Sequence, residues 1–346
     1  MKLKNKSLEI GLLYFYIHFV TEVTCFFILN ELFKLPISAW IIALTYDALA
    51  FVPQSIFGYL RDINKNVNFG LLGLFLLFAA VILNGLISIN KFLILIILCL
   101  GNVLAHVEGA EATLRSSDGK MTPSAVFVGG GSFGVIIGKL CSMFNISFFF
   151  IAFMILSAVP FVLLSNEIRD DTDSRKKYNY SNKTNKYLII GYSALIVIIR
   201  GYMGYGIPTS WNKTIVQHII FYFAMGLGKC LGGIFIDNIG IRKTAILSII
   251  GSIPFLLFGD KIMYISIIGV AFFSMTMAIT LALLVSILPN KPGLAFGVTT
   301  IGLFLGSVPV FFFKIKSFYY NSLMIIVLSL LCVYMALKVI RDDNIN

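Results

Sequence analysis

The sequence predicts an all-α membrane protein whose twelve transmembrane helices fall into two pseudo-symmetric groups of six. Three observations carry this. Of the 346 residues, 58% are hydrophobic and 12% charged, with a mean hydropathy of +0.93. A soluble fold could not cover that much apolar surface with so few charges. Apolar stretches of spanning length fill almost the whole chain, and one long polar interval divides them at the middle.

A helix needs about 20 apolar residues to cross the hydrocarbon core. Candidate spans are 8–30, 37–60, 67–89, 92–114, 121–143 and 147–165, then 187–208, 213–236, 242–259, 262–288, 291–313 and 317–340. The first run is too long for a signal peptide and lacks a small-residue cleavage site, so it reads as the first span. The interval 166–186, NEIRDDTDSRKKYNYSNKTNK, is highly charged and almost without aliphatic residues. It is expected to be a flexible linker between an N-terminal unit, 1–165, and a C-terminal unit, 187–346.

The net charge of +11 lies mainly in short gaps between spans, not on one amphipathic face. The expected partner is therefore a lipid bilayer and not nucleic acid. With the N-terminus inside, 18 basic residues flank the cytoplasmic side and 6 the external side (Lys34, Lys91, Lys213, Lys261, Lys314, Lys316), while 3 lie within spans. This asymmetry predicts both termini and the linker on the cytoplasmic face of a plasma membrane.

The five cysteines (Cys25, Cys99, Cys141, Cys230, Cys332) each sit in an apolar stretch, with no CxxC motif. No metal site, disulfide framework or cofactor is expected from them. No HExxH or GxxxxGK[ST] motif exists, so neither an enzyme nor a direct ATP user is expected.

The second half echoes the first. Gly129, Gly134 and Gly138 in the fifth span recur as Gly297, Gly302 and Gly306 in the eleventh, at a constant offset of 168. Gly58 and Asp62 after the second span recur as Gly233 and Asp237 after the eighth, at an offset of 175. Paired repeats of this kind are common in secondary transporters.

At these residues the chain resembles the major facilitator superfamily and its GxLaDrxGrk-type motif. Gly58, Leu60 and Asp62 keep the first part of the motif, with Arg61 between them, whereas Asn64 to Asn66 do not keep its Gly-Arg-Lys end. The second copy keeps Gly233, Asp237, Gly240, Arg242 and Lys243. The resemblance implies two six-helix bundles that move a small solute by alternating access, in a monomer, and it marks these residues as gating candidates. Two departures limit it: the fourth span has no arginine until Arg115, and no proline interrupts the glycines of the fifth span. Antiport is therefore not implied. The alternative is a non-transporting protein of the same fold, such as a receptor, assembly factor or scaffold.

Ionisable groups inside a span are costly and so are functional candidates by default. His18 and Glu22, four apart, share one face of the first span and suit a shared proton or ion pair. Asp47 is a second candidate proton site, so H+ is the candidate coupling ion. Arg200, at an offset of 178 from Glu22, is expected to bind an anionic solute group or to pair with Glu22. It precedes Gly201, Gly204, Gly206 and Pro208, which favour a broken or bent helix. In the fourth span Glu108, Glu111 and Arg115 lie on one face and read as a charge network at the gate, while His106 lies deeper. Lys229 is placed to neutralise a carboxylate or support the second motif. Lys139 is expected to snorkel, and Gln217 and His218 to sit near an external cavity mouth. These cationic groups favour an anionic or zwitterionic solute, with hydrophobic drug efflux as the other possibility.

Overall fold

Hydrocarbon offers backbone amides no partner, so a chain this apolar must pair them within its own elements. The computed structural model describes residues 2–86, 90–170, 178–182, 185–312 and 317–341. Among these, the elements are α1 (Lys2–Leu32), α2 (Ala39–Phe51), α3 (Gln54–Ile63), α4 (Phe69–Leu86), α5 (Lys91–Arg115), α6 (Thr122–Met143), α7 (Phe148–Asp170), α8 (Lys186–Gly206), α9 (Ile215–Ile239), α10 (Ile241–Phe258), α11 (Met263–Ile287), α12 (Pro292–Phe312) and α13 (Phe318–Val339). Helices α2 and α3 form one crossing, Ala39–Ile63, so 12 crossings are long and apolar enough to span a membrane. The chain is a multi-pass membrane protein. Lys183, Lys314, Lys316 and the linker stretch 171–177 lie outside the described residues.

The break between α2 and α3 has a local cause. Pro53 has no N–H and its ring crowds the preceding turn. The Ser55 amide then bonds to the Val52 carbonyl, and the Phe51 carbonyl, which an unbroken helix would pair with Ser55, accepts from Thr300 Oγ1 of α12 at 3.0 Å. The kink is thus held by a helix from the other half of the chain. By contrast α8 runs unbroken through Gly201 and Gly204 to Gly206. No break falls within the helix, which stops where Ile207, extended (ψ 119), leads into Pro208.

Helices α1, α5 and α11 are the most buried spans, each 72% buried over its apolar window, which makes them the inner posts. The longest contacts between the first six crossings and the last six are α6 with α9 and α3 with α12. Both use glycines to bring backbones together. A Cβ on Gly129 would meet Cys230 of α9, and one on Gly297 would meet the backbone of Ser55 in α3. Gly134 and Gly138 lie against α1, at Phe19 and Val23. Their counterparts Gly302 and Gly306 lie against α8, at Val197 and Ile198. Each glycine pair thus makes equivalent contacts in its own repeat.

The polar interval is not wholly a free linker. Helix α7 continues to Asp170, and residues 178–182 pack against both halves. The Tyr178 hydroxyl reaches the Leu114 carbonyl at 2.5 Å, and the Tyr180 hydroxyl donates to the Gly119 carbonyl at 2.8 Å. The Tyr180 N–H donates to Ser286 Oγ of α11 (3.1 Å), while the Asn182 and Arg341 amides pair with the Val339 and Tyr180 carbonyls. Two tyrosines supply the buried area that a charge-rich segment otherwise lacks. This end of the helices is the linker side.

Candidate functional site

Three functional groups, two of them one turn apart on α1 and the third on α5, converge midway along the inner posts. Glu22 Oε1 of α1 lies 3.3 Å from His106 Nε2 of α5 and 3.9 Å from His18 Nε2 one turn earlier. The imidazole centroids are 4.3 Å apart. All three residues are buried, at 7% exposure each. His18 Nδ1 lies 2.8 Å from the Phe127 carbonyl and His106 Nδ1 2.9 Å from the Asn102 carbonyl. A carbonyl oxygen can only accept, so each Nδ1 carries hydrogen, and each Nε2, which offers a lone pair when its ring is neutral, is turned toward Glu22. Asn102 donates from Nδ2 to Glu22 Oε1 (3.1 Å), to the Tyr46 hydroxyl (3.2 Å) and to Cys25 Sγ (3.3 Å). Helix α6 admits the cluster because residue 131 is glycine: a Cβ there would lie 2.3 Å from His18 Nε2.

A second polar group joins α3, α5 and α7 on the linker side. Arg61 holds Glu108 with Nε to Oε2 at 2.6 Å and Nη2 to Oε1 at 3.0 Å. Arg169 contacts Glu108 Oε1 at 2.5 Å and also pairs with Glu111. Arg115 closes the group on Glu111. Three guanidinium groups thus offset two buried carboxylates, the arrangement that makes their desolvation tolerable. Arg169 was not among the sequence candidates. It enters because α7 runs further than the apolar pattern indicates.

Two aspartates cross between the halves. Asp62, at the end of α3, accepts from the Gly293 and Leu294 amides that open α12, both at 2.9 Å. Asp237, near the end of α9, accepts from the Met121 amide (2.9 Å), the Thr122 amide (2.8 Å) and Thr122 Oγ1 (2.5 Å) at the start of α6. A carboxylate at a helix N-terminus satisfies orphan amides and complements the dipole. Beside Asp62, Gly58 and Gly293 approach so closely that a Cβ on either would meet the other's carbonyl, at 2.3 and 2.6 Å. Gly233 lies in the same way against Met121 and Ala125. Gly240 takes φ 87 between α9 and α10, which glycine adopts without penalty. Arg242 and Lys243 begin α10, half-buried and exposed respectively.

The remaining candidates are scattered. Asp47 reaches the Ser307 hydroxyl of α12. Lys229 faces a small cavity between the halves with Ser124, Val128, Met277, Phe296 and Thr299, big enough for roughly one water molecule. Charge interactions link it to Glu22 and His18.

Arg200 makes no ion pair with Glu22 among the described residues. It sits inside the last six helices, over the Phe273 ring (5.4 Å to the centroid) with Nε 3.4 Å from the Phe273 carbonyl. The offset that aligned it with Glu22 places the two residues in equivalent spans without bringing them together. Lys139, half-buried near the end of α6, donates to the Tyr222 hydroxyl of α9 at 2.9 Å. Gln217 caps its own helix, accepting from the Lys213 and Thr214 amides at 3.0 Å, and so is not a free polar group at a cavity mouth.

The run Gly130-Gly131-Ser132-Phe133-Gly134 matches GxSxG in letters. It lies inside α6, without the strand-to-helix turn that exposes a nucleophile in that motif.

No protein-family model matches the chain, and no curated protein matches it. Among solved structures, the chain is similar to the human organic anion transporter MFSD10 (TETRAN), with a TM-score of 0.63 at 11% identity, over 96% of this chain and 99% of that one. The chain has the major facilitator superfamily fold.

Proposed function

We propose that this protein is a secondary active transporter of a small solute, working by alternating access between bundles 1–165 and 187–346. The observation that carries the reading is the pair of crossing aspartates. Asp62 and Asp237 each bind the N-terminus of a helix in the other half, on the linker side only. Contacts of this kind close one end of the molecule and can be broken and remade without unfolding either bundle. A static scaffold has no need of two such latches at twofold-related positions.

The proposed solute is an organic anion. Lys229 is the cation facing the cavity between the bundles. Arg200 is a buried guanidinium with no acidic partner within 4.0 Å among the described residues, which favours a site able to accept negative charge. The structural neighbour is an organic anion transporter. Of the acidic candidates for a coupling proton, Asp47 on α2 lies near the Ser307 hydroxyl of the other bundle, so its charge is felt across the moving interface. The excess of basic residues beside the linker supports a plasma-membrane protein with cytoplasmic termini.

Uptake of fluorescent organic anions into proteoliposomes under an imposed pH gradient tests the reading. Flux is expected in the native protein, with a loss of about 100-fold in Lys229→Gln if its charge contributes about 3 kcal/mol to solute binding. A panel of anions that shows no flux above empty liposomes would count against transport. Flux that persists without a pH gradient would count against proton coupling alone.

A further inference from the structure

The His18, Glu22 and His106 cluster has an unresolved electrostatic feature. Both rings spend their Nδ1 hydrogens on backbone carbonyls, so two Nε2 atoms, each a ligand atom when its ring is neutral, and one carboxylate oxygen face one another. A single proton between His106 and Glu22 would satisfy one pair, but His18 at 3.9 Å is beyond hydrogen-bond reach. The amide carbonyl oxygen Oδ1 of Asn102, a residue with 0% exposure, is also without a hydrogen-bond partner, although the same amide donates from Nδ2 to Glu22. Lys229 acts on Glu22 and His18 through charge, but among the described residues no cation bridges all three groups.

We propose that His18, Glu22 and His106 form a binding site for one divalent transition-metal ion of the zinc type. Their ligand atoms all lie within 4.8 Å of one another. Tetrahedral zinc with bonds near 2.1 Å separates its ligands by about 3.4 Å, so closing the site takes side-chain adjustments of about an ångström. Two imidazoles and a carboxylate are a donor set for borderline ions such as Zn2+, Co2+ or Fe2+. A single carboxylate oxygen is too poor in hard donors for Ca2+ or Mg2+.

The outer contacts match as well. Metal-bound histidines commonly donate their other N–H to a backbone carbonyl, which fixes tautomer and ring orientation; both rings here already do so. Gly131 leaves the room that the His18 ring occupies. The expectation of no metal site came from the cysteines alone; His18 and His106 stand 88 positions apart in sequence, and the fold removes that separation. The site lies wholly on α1 and α5, so it does not depend on the transport reading and is tested without measuring flux.

The test is a Co2+ titration of the full-length protein, purified in detergent and stripped of metal, followed by visible d–d absorption. One-to-one saturation with four-coordinate intensity is expected. His18→Gln and His106→Gln are each expected to weaken binding by at least about 100-fold, and His218→Gln, the third histidine, to leave it unchanged. Absence of saturable binding, or binding that survives both substitutions, would overturn the proposal. Where either variant fails to fold, X-ray absorption of the zinc-loaded native protein decides: imidazole scattering in the first shell supports the site, and a shell without imidazole overturns it.

Discussion

Asp62 and Asp237 hold the same post in opposite halves of the molecule. Each stands at the linker-side end of a helix and accepts two backbone amides from the first turn of a helix in the other half. Hydrogen bonds to charged groups contribute about 1.5–3 kcal/mol each. Asp62→Asn and Asp237→Asn are each expected to shift the equilibrium away from linker-side closure by about 10-fold, and the double variant further. Accessibility of a single cysteine placed at Ser55, beneath the α3–α12 contact, checks this: its labelling rate should rise in each variant.

The approach of Gly58 to Gly293 is limited by backbone, which cannot yield as a side chain can. A Cβ on Gly58 would stand 2.3 Å from the Gly293 carbonyl oxygen. Gly58→Ala is expected to cost the closed form about 1–3 kcal/mol through overpacking. Gly191→Ala is the control, since nothing lies within 4 Å of its Cβ position and alanine favours a helix by about 1 kcal/mol. Thermal unfolding in detergent should separate them, with Tm lowered in the first and level or raised in the second.

Glu108 is the hinge of the charge network, since Arg61 and Arg169 both depend on it. Glu108→Gln leaves two buried guanidinium groups short of countercharge, which costs about 3–5 kcal/mol. Expression yield and Tm should fall together. A paired replacement, Glu108→Gln with Arg61→Gln, should recover part of the loss, and the extent of recovery in a double-mutant cycle measures their coupling.

The linker strap carries a pH dependence of known sign. Burial, and then the charge of Asp237, push the Tyr180 phenol above its ordinary value, and burial does the same to Tyr178. For a group whose pKa is raised on folding, the stabilisation is complete below the unfolded value and is lost as pH climbs through the folded one. The window therefore opens above about pH 10, and the strap should stay docked throughout the physiological range. Tyr180→Phe removes the bonds to Gly119 and Asp237. Proteolysis of the linker should quicken in this variant at neutral pH, and in the native protein only under alkaline conditions.

The fold was legible because its determinants are local. Apolar runs mark the crossings, and the repeated Gly and Asp positions mark the turns between them. The charge network was legible in part: Glu108, Glu111 and Arg115 share one face of α5, but Arg169 is invisible until α7 is known to pass the end of its apolar run. His18 and Glu22 announce themselves by helical spacing. Their convergence with His106 and Asn102 depends on how α1 packs against α5, which no periodicity in one sequence encodes. Arg200 shows the converse error, since equivalent positions in two repeats need not face each other. The strap was obscured by composition, because one buried tyrosine, Tyr178, and one half-buried, Tyr180, outweigh the charges around them.

Alternating access is tested most directly by distances across both ends of the bundles. Spin labels at Asn66 and Asn290 report the linker side, and labels at Ile37 and Lys213 the opposite side, in double electron–electron resonance measurements on reconstituted protein. The account predicts two populations for each pair, changing in opposite directions when Asp62→Asn and Asp237→Asn are introduced: the linker-side distance lengthens as the other shortens. A single unchanged distance at both ends, with the latches intact and with them removed, would contradict it.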